Sequence, residues 1–173
     1  MANGKSYFEH LKSLVMAQKE GECMICPVCG KYEAKHNFDC CPYCCFEFDP
    51  VQIEDYDCYT GANTMTVNQY RKWWNYKMSI NENFVFTDEE PTVQCRAVEF
   101  FDVCPVCGKK FNKKQFYIDN PECGGNYDGA ICSKCGWIRD LVQAIEPDMK
   151  NGLNKLSVNE YKKWCLSKKG GKK

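Results

Sequence analysis

In the stretch Cys26-Pro27-Val28-Cys29-Gly30 two cysteines flank a two-residue turn, and Cys41-Pro42-Tyr43-Cys44 repeats the arrangement. The pattern returns later as Cys104-Pro105-Val106-Cys107-Gly108 and Cys132-Ser133-Lys134-Cys135-Gly136. Two such pairs supply four thiolates, and four thiolates in a tetrahedral arrangement are ligands that a structural zinc ion prefers. The sequence therefore predicts two zinc ions per chain. The predicted ligands are Cys26, Cys29, Cys41, Cys44, Cys104, Cys107, Cys132 and Cys135.

The cysteine pairs belong to a longer internal repeat. Cys26 and Cys104 are 78 residues apart, whereas Cys44 and Cys135 are 91 residues apart, so 13 additional residues lie within 109–131. After the last pair the register holds without a gap. The aligned stretches are Val51-Gln52 with Val142-Gln143, Gly61-Ala62-Asn63 with Gly152-Leu153-Asn154, and Thr66–Trp73 with Ser157–Trp164. A repeat of this length indicates two related modules.

Each module is small, and a small module buries too little apolar surface to be stable without a staple such as a metal ion. We expect an α+β protein made of two tandem zinc-ribbon-like modules, at residues 23–80 and 95–169. Each module should contain a short β-hairpin sheet capped by an α-helix. The remaining segments are predicted to be an N-terminal helix within residues 1–22, a linker at 81–94 and a flexible tail at 170–173.

Local patterns support these elements. Capping boxes, in which Ser or Thr precedes Glu or Gln by three positions, mark helix starts at Ser6, Thr66 and Ser157. The stretch Phe46-Glu47-Phe48 alternates as a strand does. The predicted core faces of the two closing helices are Val67, Tyr70 and Trp74 in the first, and Val158, Tyr161 and Cys165 in the second, with Trp73 and Trp164 beside them.

The stretches 26–30, 41–52 and 61–71 resemble the CPCC family of small, cysteine-rich, zinc-ribbon-like bacterial proteins. The similarity covers most of 26–75, and more loosely 104–107 and 132–164. The sequence departs from the family at Val28 and Val106, where a third cysteine is usual, and at Ser133, where proline is usual. The resemblance implies zinc ribbons and a bacterial cytoplasmic origin, but no chemistry. Some members look like neighbours or immunity partners of secreted toxins.

Composition narrows the class of protein. Residues 1–22 lack the apolar core of a signal peptide, and no stretch is long enough to span a membrane. A cytoplasmic location follows as an expectation, and there the 15 cysteines stay reduced and act as metal ligands rather than disulfides. The formal net charge of zero argues against a dedicated nucleic-acid binder, although eight lysines and one glutamate lie in 150–173.

An acidic run follows the second cysteine pair, and it contains Glu47, Asp49, Glu54, Asp55 and Asp57. A second run, Glu82 with Asp88-Glu89-Glu90, lies near the predicted linker. Such runs are usually solvated surface. The alternative is a docking face for a basic partner, and the first run is then predicted to hold the partner-binding residues.

Other chemistry has weaker support. The remaining cysteines are Cys23, Cys40, Cys45, Cys58, Cys95, Cys123 and Cys165; any of them can replace a predicted ligand, although most are expected to be buried apolar side chains. Cys41-Pro42-Tyr43-Cys44 also has the spacing of a glutaredoxin-type redox motif, without a βαβ context. Iron–sulfur spacings do not match. The two histidines, His10 and His36, form no catalytic motif, so no enzyme activity is predicted.

The sequence therefore favours a non-enzymatic zinc-binding protein that acts through protein–protein contact. In its specific form, this is an immunity-type protein that binds and neutralises a bacterial toxin, such as a basic nuclease domain. The alternative is a nucleic-acid-binding zinc ribbon, in which the stretch Tyr161-Lys162-Lys163-Trp164 stacks bases and contacts phosphates.

Overall fold

A computed structural model describes residues 23–86, 100, 102–120 and 127–170, without the side chains of 169 and 170. The helix predicted within 1–22, His10, Cys95, Cys123 and most of the tail lie outside these ranges. The chain divides into a first unit, Met1–Thr87, and a second unit, Asp88–Lys173. None of the helices among the described residues is long and apolar enough to cross a membrane.

Within residues 23–86, the first unit combines a small sheet with two helices. Strand β1 (Met24–Ile25) pairs antiparallel with β2 (Glu33–Ala34), with Met24 opposite Ala34. Helix α1 (Pro50–Glu54) follows the second cysteine pair, and helix α2 (Val67–Ile80) closes the unit. The mixed α and β character predicted from the sequence is confirmed at this level.

The described part of the second unit has a similar plan. Single antiparallel bridges join Val103 to Lys110 and Ile131 to Ile138. The helices in this part are α3 (Lys113–Asp119), α4 (Leu141–Ile145) and α5 (Val158–Gly170). Helix α3 lies in the stretch that contains the 13-residue insertion.

The predicted strand at 46–48 is shorter than expected. In the part of the chain that the structure describes, it contributes one bridge, between Cys40 and Glu47. The reason is geometric: the turns around the cysteine pairs take up most of each hairpin, so only one or two ladder positions remain. The expected alternation is nevertheless present, because Phe46 and Phe48 are fully buried while Glu47 is half-buried.

Aromatic rings fill the first unit's core. Phe46 meets Tyr70 edge to face at 5.7 Å between ring centroids, and Tyr70 meets Trp73 in the same way at 5.6 Å. Such edge-to-face pairs stabilise a core beyond the simple burial of their area. The predicted core face of α2 is confirmed, since Val67, Tyr70 and Trp74 are buried. Both halves of its capping box, at Thr66 and Gln69, are also present.

The second unit's core differs in one important way. Trp137, Tyr127 and Val158 are buried, but Arg139 stands where the first unit has Phe48. The Arg139 guanidinium lies 3.9 Å from the centroid of the Tyr127 ring and forms an ion pair with Asp128. The charge is thus stacked and paired, which is what burial of an arginine requires.

The linker predicted at 81–94 begins later than expected. Phe84 packs on Trp73 and on Trp74, with ring centroids 5.9 and 5.7 Å apart, and Phe86 also contacts Trp73 at 6.5 Å. Residues 84–86 therefore belong to the first unit, where they cover the middle of α2. Aromatic packing decides this boundary.

Candidate metal centres

The first unit brings its four predicted ligands together. The Sγ atoms of Cys26 and Cys44 are 3.6 Å apart, and those of Cys29 and Cys41 are 3.5 Å apart. All four sulfur atoms lie within 4.8 Å of one another. We refer to this group as the first cysteine cluster.

The second unit forms an equivalent group, the second cysteine cluster. Here the Sγ atoms of Cys104 and Cys135 are 3.5 Å apart, and those of Cys107 and Cys132 are 3.6 Å apart. These four sulfur atoms also lie within 4.8 Å of one another. In both clusters, the sulfur of the first cysteine lies beside that of the fourth, and the sulfur of the second lies beside that of the third.

Both clusters fit a four-coordinate metal. With metal–sulfur bonds of about 2.3 Å, a regular ZnS4 tetrahedron has sulfur–sulfur edges of about 3.8 Å. The observed separations of 3.5–3.6 Å are close to this edge length and far above a disulfide bond. The sulfurs are also partly or fully buried, so a cation between them is shielded from water.

Each cysteine pair is held by the same local turn. The residue after the second cysteine donates its backbone N–H to the carbonyl of the first cysteine, at 2.8–2.9 Å in all four pairs. That residue takes a left-handed φ, which favours glycine: Gly30 at 68°, Gly108 at 70° and Gly136 at 78°. In the second pair the position is filled by Cys45, at 58°. Cys45 is thus placed by the turn rather than as a ligand.

Hydrogen bonds from thiols and backbone N–H groups also stabilise negative charge on the sulfurs, which favours a bound cation. In the first cluster, hydrogen bonds from the Cys41 and Cys44 thiols lower the pKa of Cys26 to about 2, with further help from the N–H groups of Cys29 and Val28. The same hydrogen bond to Cys26 raises the pKa of Cys41 to about 12. One thiolate therefore forms first, and a metal must displace protons from the others.

The second cluster behaves similarly. Burial raises the pKa of Cys104 to about 11. Burial also opposes ionisation of Cys132, but the N–H groups of Lys134 and Cys135 prevail and lower its pKa to about 7. N–H groups aimed at the first sulfur of a pair are the contacts that orient and stabilise metal-bound thiolates.

A tyrosine ties each closing helix to its cluster. The Tyr70 hydroxyl of α2 donates to the Cys44 carbonyl at 3.0 Å, and the Tyr161 hydroxyl of α5 donates to the Cys135 carbonyl at the same distance. The hydrogen bond fixes the angle at which the helix meets the cysteine turn. It also directs the Tyr161 hydroxyl toward the cysteine turn.

A buried polar network supports both clusters, and the sequence prediction did not identify it. In the first unit, Gln52 donates to the carbonyls of Cys58, Asn63 and Met65 at 3.0–3.2 Å. Its Oε1 accepts from both nitrogens of Asn63, at 3.1 and 2.8 Å. Asn63 in turn bonds the backbone of Glu47 in both directions.

The second unit reproduces the network bond for bond. Gln143 donates to the carbonyls of Met149, Asn154 and Leu156 at 3.0–3.3 Å and accepts from both nitrogens of Asn154. Asn154 bonds the backbone of Ile138 in both directions. The aligned repeat contains a sign of this network. The same polar residues occur at these positions in both copies, which is not expected of residues on a solvated surface.

A close approach of backbone explains the matched glycines. A Cβ on Gly61 would lie 2.6 Å from Asp49 Oδ2, and one on Gly152 would lie 2.5 Å from Asp140 Oδ2. Both distances are shorter than real Cβ contacts allow. The glycines therefore let the loop pass over the start of the short helix α1 or α4.

The predicted docking face must be corrected at Asp49. This residue is fully buried, caps α1 by accepting from Val51 and Gln52, and accepts from Ala62 N–H at 2.7 Å. It has a structural task and is not available to a partner. Glu47 is half-buried, whereas Glu54, Asp55 and Asp57 are exposed. Three adjacent carboxylates thus remain as candidate contacts.

The expectation that most spare cysteines are buried is wrong. Cys23 and Cys40 are exposed, and Cys45, Cys58 and Cys165 are half-buried. None of these five described cysteines joins either cluster. The histidine of the described residues, His36, is exposed and also lies outside both clusters.

The glutaredoxin-type reading of Cys41-Pro42-Tyr43-Cys44 finds no support in this geometry. These residues form a turn, not the start of a helix. The raised pKa of Cys41 is opposite to the lowered pKa that a redox-active first cysteine requires. The sulfurs of the motif instead lie beside those of Cys26 and Cys29.

No protein-family model matches the sequence, and no curated protein or solved structure matches it. The resemblance to the CPCC family therefore stays a prediction from the residues that carry it. The two cysteine clusters are the features of the structure that bear most directly on its function.

Proposed function

We propose that this chain is a non-enzymatic zinc protein whose two cysteine clusters each hold one structural zinc ion in a zinc-ribbon-like unit, and which acts by protein–protein contact. The observation that carries the proposal is the composition of the clusters. Four thiolates fill a tetrahedral site completely, and such closed sites are structural, whereas catalytic zinc keeps a position open for water. Thiolate ligands also favour zinc over calcium or magnesium.

The zinc ions would supplement the small hydrophobic core of each unit. Each cluster joins two turns that are far apart in sequence: Cys26 and Cys44 are separated by 18 positions, and Cys104 and Cys135 by 31. Closing these loops restricts the unfolded chain and fixes the turns against the closing helix. The result is a rigid surface suited to binding a partner.

Elemental analysis of the freshly purified chain, paired with its native mass, tests the metal assignment. We expect two zinc ions per chain, retained through dialysis and removed by a strong chelator together with the tryptophan fluorescence signal of the folded state. Iron in place of zinc, or a folded chain without metal, would contradict the proposal.

The immunity-type role is the specific form of this proposal that the sequence resemblance suggests. Glu54, Asp55 and Asp57 support it, since exposed carboxylates suit a basic partner such as a nuclease domain. Against a partner captured from the source cell, the triple variant Glu54→Gln, Asp55→Asn and Asp57→Asn should associate more slowly and lose salt dependence. The matched control is Glu33→Gln, an exposed carboxylate on β2. Unchanged binding by the triple variant would remove this surface from the proposal.

A further inference from the structure

The second unit has an open apolar groove beside its cysteine cluster. The groove has a volume of about 870 Å³ and is lined by Val106, Cys107, Trp164, Cys165 and lysine side chains. Trp164 is 45 % exposed, which is unusual for the largest apolar side chain. Among the described residues, its ring contacts Tyr161 and lies 5.9 Å from the Lys168 ammonium, both on its own helix, and no ring from another element packs on it.

In the first unit, another segment of the chain covers the tryptophan that is equivalent to Trp164. Trp73, the counterpart of Trp164 in the repeat, is only 1 % exposed. The cover is the extended segment Phe84-Val85-Phe86, whose two phenylalanines pack on Trp73 while Val85 points to solvent and is 55 % exposed. The segment is anchored by its backbone, because the Phe86 N–H donates to the Tyr43 carbonyl at 3.4 Å.

The same anchoring group is present in the second unit. Lys134 is the counterpart of Tyr43 in the repeat, and it also lies between the two cysteines of its pair. Among the described residues, no backbone N–H donates to the Lys134 carbonyl. The groove therefore offers an exposed indole and a backbone acceptor in the arrangement that holds residues 84–86 in the first unit.

The second groove carries one more positive charge than the first, because Lys134 replaces Tyr43. Lys134, Lys162 and Lys168 line it. At the equivalent positions the first unit has Tyr43, Arg71 and Lys77, and Arg71 is occupied by the Pro27 carbonyl and the Tyr56 ring. In the chain's own sequence, Phe86 is followed after one residue, Thr87, by Asp88-Glu89-Glu90. A lysine-rimmed groove favours an occupant with that order of aromatic and acidic residues.

We propose that this groove, which we call the Trp164 groove, binds an extended segment of a partner protein in which two aromatic residues, separated by one position, precede acidic residues. The aromatic side chains would cover Trp164, and a backbone N–H would donate to the Lys134 carbonyl. The lysines would meet the acidic residues. The inference rests on the proposed function, since it supplies the partner chemistry for a protein that acts by protein–protein contact.

The test uses the zinc-loaded full chain and a synthetic peptide with the sequence of residues 83–90, Asn-Phe-Val-Phe-Thr-Asp-Glu-Glu, blocked at both ends. Calorimetric titration should show binding at one site. In amide-proton spectra of the labelled chain, the indole N–H of Trp164, assigned with Trp164→Phe, should shift. A peptide with both phenylalanines replaced by alanine should not bind. Trp164→Ala should weaken binding by about tenfold or more, as loss of a central aromatic contact does.

Substitution of one lysine that lines the groove, compared with one that does not, tests whether the peptide binds in the groove. Lys134→Glu should weaken the peptide strongly, whereas Lys163→Glu, on the same helix as Trp164 but outside the groove lining, should reduce affinity only slightly. Zinc content is measured on every variant, so that two retained zinc ions with no peptide binding reject the groove while the zinc assignment stands. Loss of zinc in the unaltered chain rejects the proposed function itself.

Three other results would overturn the groove proposal. In the first, single-stranded oligonucleotides bind at Trp164 and the peptide does not. In the second, the native mass shows a dimer that Trp164→Ala dissociates, which makes a second copy the occupant. In the third, Trp164 is already protected from iodide quenching in the free chain, so that the chain's own residues fill the groove.

Discussion

At the scale of single residues, the most informative side chains are the buried amides. Gln52 and Gln143 each hydrogen-bond to three backbone carbonyls and to one asparagine of a following loop. Most of these bonds join residues that are eleven or more positions apart in the sequence. Each glutamine thus joins its loop to the short helix beside the hydrophobic core of its unit. The short helices α1 and α4 exist because this network, together with the capping aspartates, holds them.

Replacing Gln143 with leucine keeps the side-chain volume but removes all of these bonds. The carbonyls and the Asn154 amide stay buried without partners, so the free energy of unfolding should fall by about 3 kcal/mol. Chemical denaturation of the zinc-loaded chain, followed by fluorescence, measures the change. The control Gln115→Leu, in exposed α3, should change stability by about 0.5 kcal/mol or less. Equal effects of the two variants would contradict the structural role of the network.

Substitution of a glycine that packs against the glutamine gives a second test of the same network. Gly152→Ala should destabilise the second unit, since the added Cβ would lie 2.6 Å from Gln143 Cδ and the helix start must move. Gly129 gives a contrast, because nothing lies within 4 Å of its Cβ position although its φ is 96°. Thermal unfolding of both alanine variants separates steric clash from backbone strain. A smaller effect at 152 than at 129 would count against the close approach.

At the scale of elements, the two closing helices begin alike and differ in the middle. Thr66 and Ser157 both form capping boxes, and the tyrosine one turn later bonds the cysteine turn in each helix. Further along, α2 is covered by residues 84–86, whereas α5 exposes Trp164. Equivalent positions in the middle of the two helices are thus buried in one unit and exposed in the other.

The cover on α2 leads to a fluorescence prediction. Phe86→Ala should open the space above Trp73, which is 1 % exposed, and should therefore shift tryptophan emission to longer wavelength and increase quenching by iodide. Val85→Ala, which changes a side chain that is 55 % exposed, is the matched control and should leave the emission unchanged. The spectra should be recorded on the zinc-loaded chain. No shift in Phe86→Ala would mean that the segment does not cover Trp73 in solution.

At the scale of the whole molecule, the chain is a repeat whose two units each carry their own cysteine cluster. The repeat preserved the clusters, the turns, the amide networks and the tyrosine contacts. It changed a core phenylalanine to Arg139 and left one tryptophan exposed. Such a pattern is expected when structural parts are kept in both copies and one surface acquires a separate task.

Two clusters in separate units predict independent loss of metal. Cys44→Ser should leave one zinc ion per chain, Cys135→Ser should also leave one, and the double variant should leave none, because three thiolates and a hydroxyl hold zinc poorly. Cys45→Ser, next to a ligand but outside the cluster, is the control and should retain both. Elemental analysis gives the count directly. Full zinc in Cys44→Ser with loss in Cys45→Ser would exchange the roles of the two cysteines.

The sequence by itself determined the features whose signal is local: the cysteine spacings, the capping boxes, the alternation at Phe46–Phe48 and the register of the repeat. Spacing sufficed for the cysteines because a turn of four residues aims both sulfurs at one point. Only the tertiary structure decided the roles of Asp49, Gln52 and Trp164. Asp49 and Gln52 are buried because residues 61–65 hydrogen-bond to them, and Trp164 is exposed whereas residues 84–86 cover its counterpart Trp73; no local pattern encodes these differences.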